Sequence, residues 1–403
     1  MNGHLVANPG AWAQPEKLDG VFADLRRHDP VSRVEVPGYD SFWLVTRHAD
    51  VLTMERDAEG FTNHPRSVLQ TAELDARLNS SGKLRTLVHM DGAEHRSHRA
   101  VAADWFRPRS LRAVQDEITA HAVQAVDDLA ALGGECDFAA EIALGFPLRV
   151  ILSIMGLPAR DYPLMLRLTQ ELFGAQDPDL RRGQDTGNAY GQVFGDLFRY
   201  YAALTRDRRA SPTTDLASVI ANADIGEAER LSYYVLIATA GHDTTSYSIT
   251  GGLLALLQHP EQLELLRRRP ELIDGAVEES LRWTTPARHF MRTAARDCEL
   301  GGTRIRAGES LMLSYVSANR DESVFTDPER FDITRTRNRQ VAFGFGVHTC
   351  LGANLARMEM RLLFAELLRR LPHLELAGEP AWSQSLIVGG VKRLPIRYQV
   401  TAA

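Results

Sequence analysis

Residues 226 to 260 read GEAERLSYYVLIATAGHDTTSYSITGGLLALLQHP, and no other stretch limits the fold as much. Helical spacing carries from about Glu227 to Gln258, and Pro260 stops it. At 1.5 Å per residue that helix would span about 48 Å, the width of a whole domain. Its apolar side chains occur almost all round, so it must be buried on every side. A buried rod of this length needs many elements packed about it, and 403 residues can supply a core of that size.

The surrounding sequence is mostly helical in period. EKLDGVFADLRRHDP reads as an amphipathic helix closing before Pro30, and a helical pattern runs from His95 to about Leu132. ELIDGAVEESLRW gives another helix, and the last long one begins near Cys350 and continues through LARMEMRLLFAELLRRL. SRVEVPGYDSFWLVTR reads as two strands around a Pro-Gly turn. Residues 61–88 are polar and weakly periodic, a long loop with a short helix in it, and such loops are often functional. With no repeat and no linker, the expectation is one domain over 1–403, mainly α with small β-sheets. Its β-rich parts fall at about 31–60 and 286–316.

Charge and cysteine content exclude several classes. A net charge of −6 offers no general attraction to nucleic acid or anionic membrane. Cys136, Cys298 and Cys350 are far apart and odd in number, which is no disulfide framework and suits a reducing cytoplasm. The N-terminal stretch lacks the apolar run of a signal peptide, and nothing approaches the roughly 18–20 apolar residues of a spanning helix.

Two stretches carry chemistry. In FGFGVHTCLGANLAR, Gly344, Gly346 and Gly352 free the backbone around the lone Cys350, so something large can approach it closely. Cys350 precedes a helix start, whose unpaired N–H groups favour thiolate over thiol. A buried structural cysteine is the plain alternative. A cysteine hydrolase with His348 as base is another, though the two are only two positions apart. An iron–sulfur cluster would need about four cysteines, and zinc lacks a second ligand pair. Haem iron, which needs just one protein sulfur, is compatible. In ATAGHDTTS, Gly241, Asp243, Thr244 and Thr245 form a polar defect in an apolar helix, where threonines bond back to carbonyls and bend it. A tolerated kink is the alternative there.

FGFGVHTCLGANLAR resembles, position for position, the cysteine-ligand loop of the cytochrome P450 family. The resemblance implies the family's triangular, helix-rich haem-thiolate monooxygenase fold, with haem b held by Cys350 and cradled by Phe343, Gly344 and Gly352. It implies that His95 and Arg99 in MDGAEHRSHR, Arg292 in FMRTAARDCEL, and His348 meet the haem propionates. Asp243 and Thr244 fall on the acid–threonine pair that relays protons to oxygen bound in the adjoining groove. His242 departs from the apolar residue often found before the acid and is given no catalytic part. Glu279 and Arg282, three apart in EESLR, fall on a buried structural ion pair joined by Arg330 from DPERFD. Electrons would come from a [2Fe–2S] ferredoxin with its reductase, and Arg107, Arg109 and Arg112 in FRPRSLR suit either its docking face or a solvated helix start.

Within the family the likeness runs to the branch that hydroxylates terpineol. It implies a small hydrophobic substrate, a monoterpene of the terpineol, limonene or cymene type, with alkylated or polycyclic aromatics as the alternative. A non-catalytic haem sensor is less favoured because Asp243 and Thr244 are intact. Leu236, Ala240, Gly241, Ala287, Ile387 and Val388 are the pocket residues carried over by position, roofed by loop 61–88.

Overall fold

A computed structural model describes residues 3–81, 85–173, 176–180 and 186–401. The expected central helix is present as two. Glu227–Ala240 and Asp243–Gln258 are separated by Gly241 and His242. The break sits at the defect that the sequence marks. Gly241 weakens helix propagation, its N–H reaches Ile237 O at 3.4 Å, and His242 takes ψ −74°. Thr244 Oγ1 then donates to Ala240 O at 2.8 Å, occupying a carbonyl at the break.

The second of these helices is approached closely from two sides. A Cβ on Gly251 would lie 2.4 Å from Thr284 Cγ2, and one on Gly252 would lie 2.7 Å from Ser280 Oγ and 3.1 Å from Phe364. The neighbours are the helices Ile273–Thr284 and Ala353–Arg370, and only glycines permit that spacing. The main core extends from there to the helices Gln115–Ala131 and Gly145–Ile154 through residues such as Val126, Ile151, Leu281 and Leu363. Each such side chain contributes roughly 1.5–3 kcal/mol by leaving water.

The principal sheet has five strands in the order Val31–Val34, Phe42–Val45, Ser310–Ser314, His289–Ala294 and Phe61–Thr62. The first two pair antiparallel with Val31 opposite Val45, and Phe42–Val45 runs parallel to Ser310–Ser314. Ser310–Ser314 is buried along its whole length, as its neighbours on both edges require. A three-stranded sheet joins Glu135–Asp137, Pro395–Gln399 and His373–Leu376. The fold is thus mainly α with small β-sheets. Loop 61–88 contains the helix Ala72–Ser81 and the start of a short turn at Leu87–His89. Its residues 82–84 lie outside the described residues. No helix among the described residues is long and apolar enough to cross a membrane.

Candidate active site

A cavity of about 220 Å³ opens beside the break between the two central helices. Cys350 lines one wall, and its exposure is to this cavity. The loop carrying it is tightly drawn. The Cys350 N–H donates to Phe343 O at 2.8 Å, and Gly344 and Gly346 adopt φ +65° and +71°, a region that favours glycine. The helix Ala353–Arg370 starts three residues on. Burial pushes the Cys350 thiol up, while the N–H groups of Gly352 and Ala353 and the charges of Arg99 and Arg357 pull it down. Those last four groups are what an anionic sulfur needs.

The opposite wall holds Gly241, Thr244, Thr245 and Ser248 from the broken helix. Asp243 faces away from the cavity. It is 4% exposed, its Oδ1 lies 3.6 Å from His242 Nδ1, and its Oδ2 has no partner. Burial raises its carboxyl above the ordinary value, against the pull of His242. His242 is fully buried behind the cavity, with Thr169 Oγ1 3.0 Å from Nδ1 and Leu144 O 2.7 Å from Nε2.

One edge of the cavity gathers His95, Arg99, Arg292 and His348. The two imidazoles lie 4.0 Å apart, centroid to centroid. Asn63, from loop 61–88, sets its amide 3.1 Å from the His348 ring, and Arg99 donates to Thr349 O at 2.7 Å. Burial and the neighbouring guanidinium groups push His95 down to about 4 and His348 to about 3. Four such groups converging on one edge of a mostly apolar cavity call for an anion. A haem fits this donor set: sulfur at Cys350 for the iron, and the cluster for the propionates. Phe343, Gly344 and Gly352 line the same space, with the Arg357 guanidinium 4.5 Å from the Phe343 ring centroid.

Among the residues carried over as substrate contacts, Leu236, Ala240, Gly241 and Ala287 line the cavity. Ile387 and Val388 do not. They stand one pairing behind its wall, where Val388 bridges Ala287. Leu87, Val88, Ile151 and Phe290 line it as well. The ion pair also needs one correction. Glu279 and Arg282 are fully buried and joined at 2.7 and 2.8 Å. The second guanidinium on Glu279 belongs to Arg335, at 3.2 Å, whereas Arg330 offers its backbone carbonyl to Arg282 at 3.1 Å. The loop folds so that the later arginine points inward.

Polar residues at or near the cavity also escaped the sequence reading. Asn63 and Tyr315 arrive from distant elements with no local signal. Glu359 lines the cavity, is 1% exposed and has neither oxygen partnered, and burial raises it far above the usual carboxylate range. Its signal was an acid one turn after Leu355 on a buried helical face. Glu55 shows the same pattern after Val51.

Residues 227–400 match the Cytochrome P450 family. The chain is 39% identical to "Cytochrome P450-terp" of Pseudomonas sp, covering 98% of this chain and 96% of that one. It is 31% identical to "Linalool 8-monooxygenase" of Pseudomonas putida, covering 97% and 98%. The crystal structure of CYP108D1 from Novosphingobium aromaticivorans superposes with a TM-score of 0.91 at 40% identity, covering 99% of this chain and 98% of that one. Identity sustained over nearly the full length, around a cavity with one thiol and a propionate-ready edge, means that this chain belongs to the cytochrome P450 family of haem-thiolate monooxygenases.

Proposed function

We propose that the enzyme hydroxylates a small hydrophobic substrate, a monoterpene of the terpineol, limonene or cymene type, using O2 and two electrons from a [2Fe–2S] ferredoxin. The observation that carries this reading is the wall facing Cys350. Leu87, Val88, Ile151, Leu236, Ala240, Ala287 and Phe290 give it an apolar surface beside the hydroxyls of Thr244, Thr245 and Ser248. Such a wall selects by volume and shape, with a methylene worth about 1–3 kcal/mol. The full-length likeness to "Cytochrome P450-terp" and to "Linalool 8-monooxygenase" supports the terpene class.

Haem, bound through Cys350, supplies the oxidising chemistry, and the chain supplies the ligand, the proton path and a dry pocket. Thr244 presents its hydroxyl to the cavity while donating to Ala240 O. Asp243, whose carboxyl burial raises above its ordinary value, is the proton store one residue away. Handover to Thr244 needs its side chain to turn from His242 toward the groove. His95, Arg99, Arg292 and His348 fix the cofactor's orientation.

For the electron donor, the outer side of the Cys350 loop exposes Phe345 and Val347, with the Arg56 guanidinium 5.2 Å from the Phe345 ring centroid. Asn354, at the start of the Cys350 helix, donates to Phe106 O at 3.3 Å, which brings the segment bearing the exposed Arg107, Arg109 and Arg112 up to that helix. An apolar centre rimmed by arginines suits a small acidic ferredoxin. Three unpaired cysteines suit a reducing cytoplasm.

The test is a panel of terpenes and of alkylated and polycyclic aromatics, scored by the spin-state change of the ferric enzyme. Monoterpenes should give the largest change at the lowest concentration. A response confined to polycyclic aromatics would replace the substrate class and leave the monooxygenase assignment standing.

A further inference from the structure

Glu55 ends the helix His48–Arg56 on its buried face, with Val51 and Met54. The side chain is 1% exposed. Tyr315 Oη donates a hydrogen bond to its Oε1, Arg292 Nη2 stands 3.6 Å from the same oxygen, and Oε2 has no partner. Tyr315 and Arg292 both line the haem cavity, so Glu55 stands one residue behind its wall. It also abuts the loop that carries the iron ligand. A Cβ on Gly344 would lie 3.2 Å from Glu55 Oε1, and one on Gly346 would lie 2.4 Å from Glu55 O.

An acid in this place bears on the cofactor in two ways. It holds one side of a guanidinium that otherwise serves a propionate. Its charge, in a medium of low effective dielectric, also disfavours the arrival of an electron nearby. We propose that Glu55 is a positioning residue that acts through Arg292 to set the reduction potential of the haem, and that protonation of Glu55 accompanies reduction. The electron goes to the iron from the external donor, and the proton goes from solvent to the Glu55 carboxylate. Linkage makes the effect reciprocal: what disfavours the electron when ionised binds its proton more tightly once the electron is present.

The groups facing Glu55 are Tyr315 and Arg292; around Arg292 stand His95, His348 and Arg99, and on Glu55's own helix Arg56 turns outward onto the Phe345 ring. Burial lifts the Glu55 carboxyl above its ordinary value, against the pull of Tyr315, Arg292 and the Phe345 N–H, so its titration moves toward working pH.

The experiment is spectroelectrochemistry of the purified holoenzyme from mildly acidic to mildly alkaline buffer, on wild type, E55Q and Y315F. Wild type should show a potential that falls as pH rises. E55Q should match it at the acidic end, stand above it at the alkaline end and lose that part of the fall. Y315F keeps the acid but removes a donor that favours its ionised form, so the fall should move to higher pH. Should E55Q fail to retain haem, the displacement in Y315F decides alone. Curves that superimpose at every pH, even with altered thermal stability, would make Glu55 purely structural and overturn the proposal.

Discussion

At the scale of single residues, three side chains divide the work around the cavity. Thr244 presents its hydroxyl there, Asp243 sits behind it as a buried acid, and Cys350 closes the opposite wall. Thr244→Ala removes the hydroxyl and leaves the apolar surface. That variant should still give the substrate-induced spin-state change while releasing reducing equivalents as hydrogen peroxide, with coupling to product down by about tenfold or more. Measured NADH consumption, peroxide and product together check this, and full coupling would remove the proton-relay role. Glu279 is the second residue to probe. Its carboxylate faces both Arg282 and Arg335 with no exposure to solvent. Glu279→Ala strands the buried Arg282 guanidinium and removes the partner of the partly buried Arg335, and should destabilise the protein by about 3–5 kcal/mol. Urea unfolding followed by fluorescence reads this directly, and an unchanged midpoint would contradict the account.

At the scale of elements, the strand His289–Ala294 couples the sheet to acid stability. His289 is fully buried, accepts the Leu69 N–H at Nε2 (3.1 Å), and is pushed down to about 3 by burial and the adjacent Arg288. Its folded-state value lies below its unfolded one, so the unfolded chain binds the proton first. Stability from this residue is whole above about pH 6.5 and falls by roughly 1.4 kcal/mol per pH unit below it, toward about 3. His289→Gln should flatten that part of the urea-midpoint profile, and an identical slope would refute it. The Cys350 loop gives a further test. Gly346→Ala must keep φ +71° and place a methyl 2.4 Å from Glu55 O. It should cost more than about 1 kcal/mol and lower haem content, and haem retention equal to wild type would argue against the tight packing described.

Elements also show what the sequence could and could not disclose. The Cys350 loop was legible because its chemistry is local: glycines, His348 and Cys350 stand within nine positions, and positive φ demands glycine at two of them. The break at Gly241 was visible as a defect, yet one glycine costs only about 1 kcal/mol, too little to separate a kink from two helices. Tertiary packing made that choice. Arg330 and Arg335 stand five apart in one loop, and only the folded loop reveals which guanidinium turns inward. Ile387 and Val388 were carried over by position, and the bridge from Val388 to Ala287 sets them behind the wall.

At the scale of the whole molecule, the buried central helices and the sheet bring together residues from opposite ends of the chain. Asn63, His95, Thr244, Arg292, Tyr315 and Cys350 border one space. Distance in sequence explains why Asn63, Tyr315 and Glu55 were missed: nothing adjacent to any of them announces a cofactor. The same convergence makes the account vulnerable at a single bond, sulfur from Cys350 to haem iron. Carbon monoxide added to the reduced protein tests that bond most directly. Wild type should show the red-shifted Soret band of thiolate-ligated haem, and Cys350→Ala should lose it while keeping the protein folded. The band persisting in Cys350→Ala, or missing from haem-loaded wild type, would contradict the account.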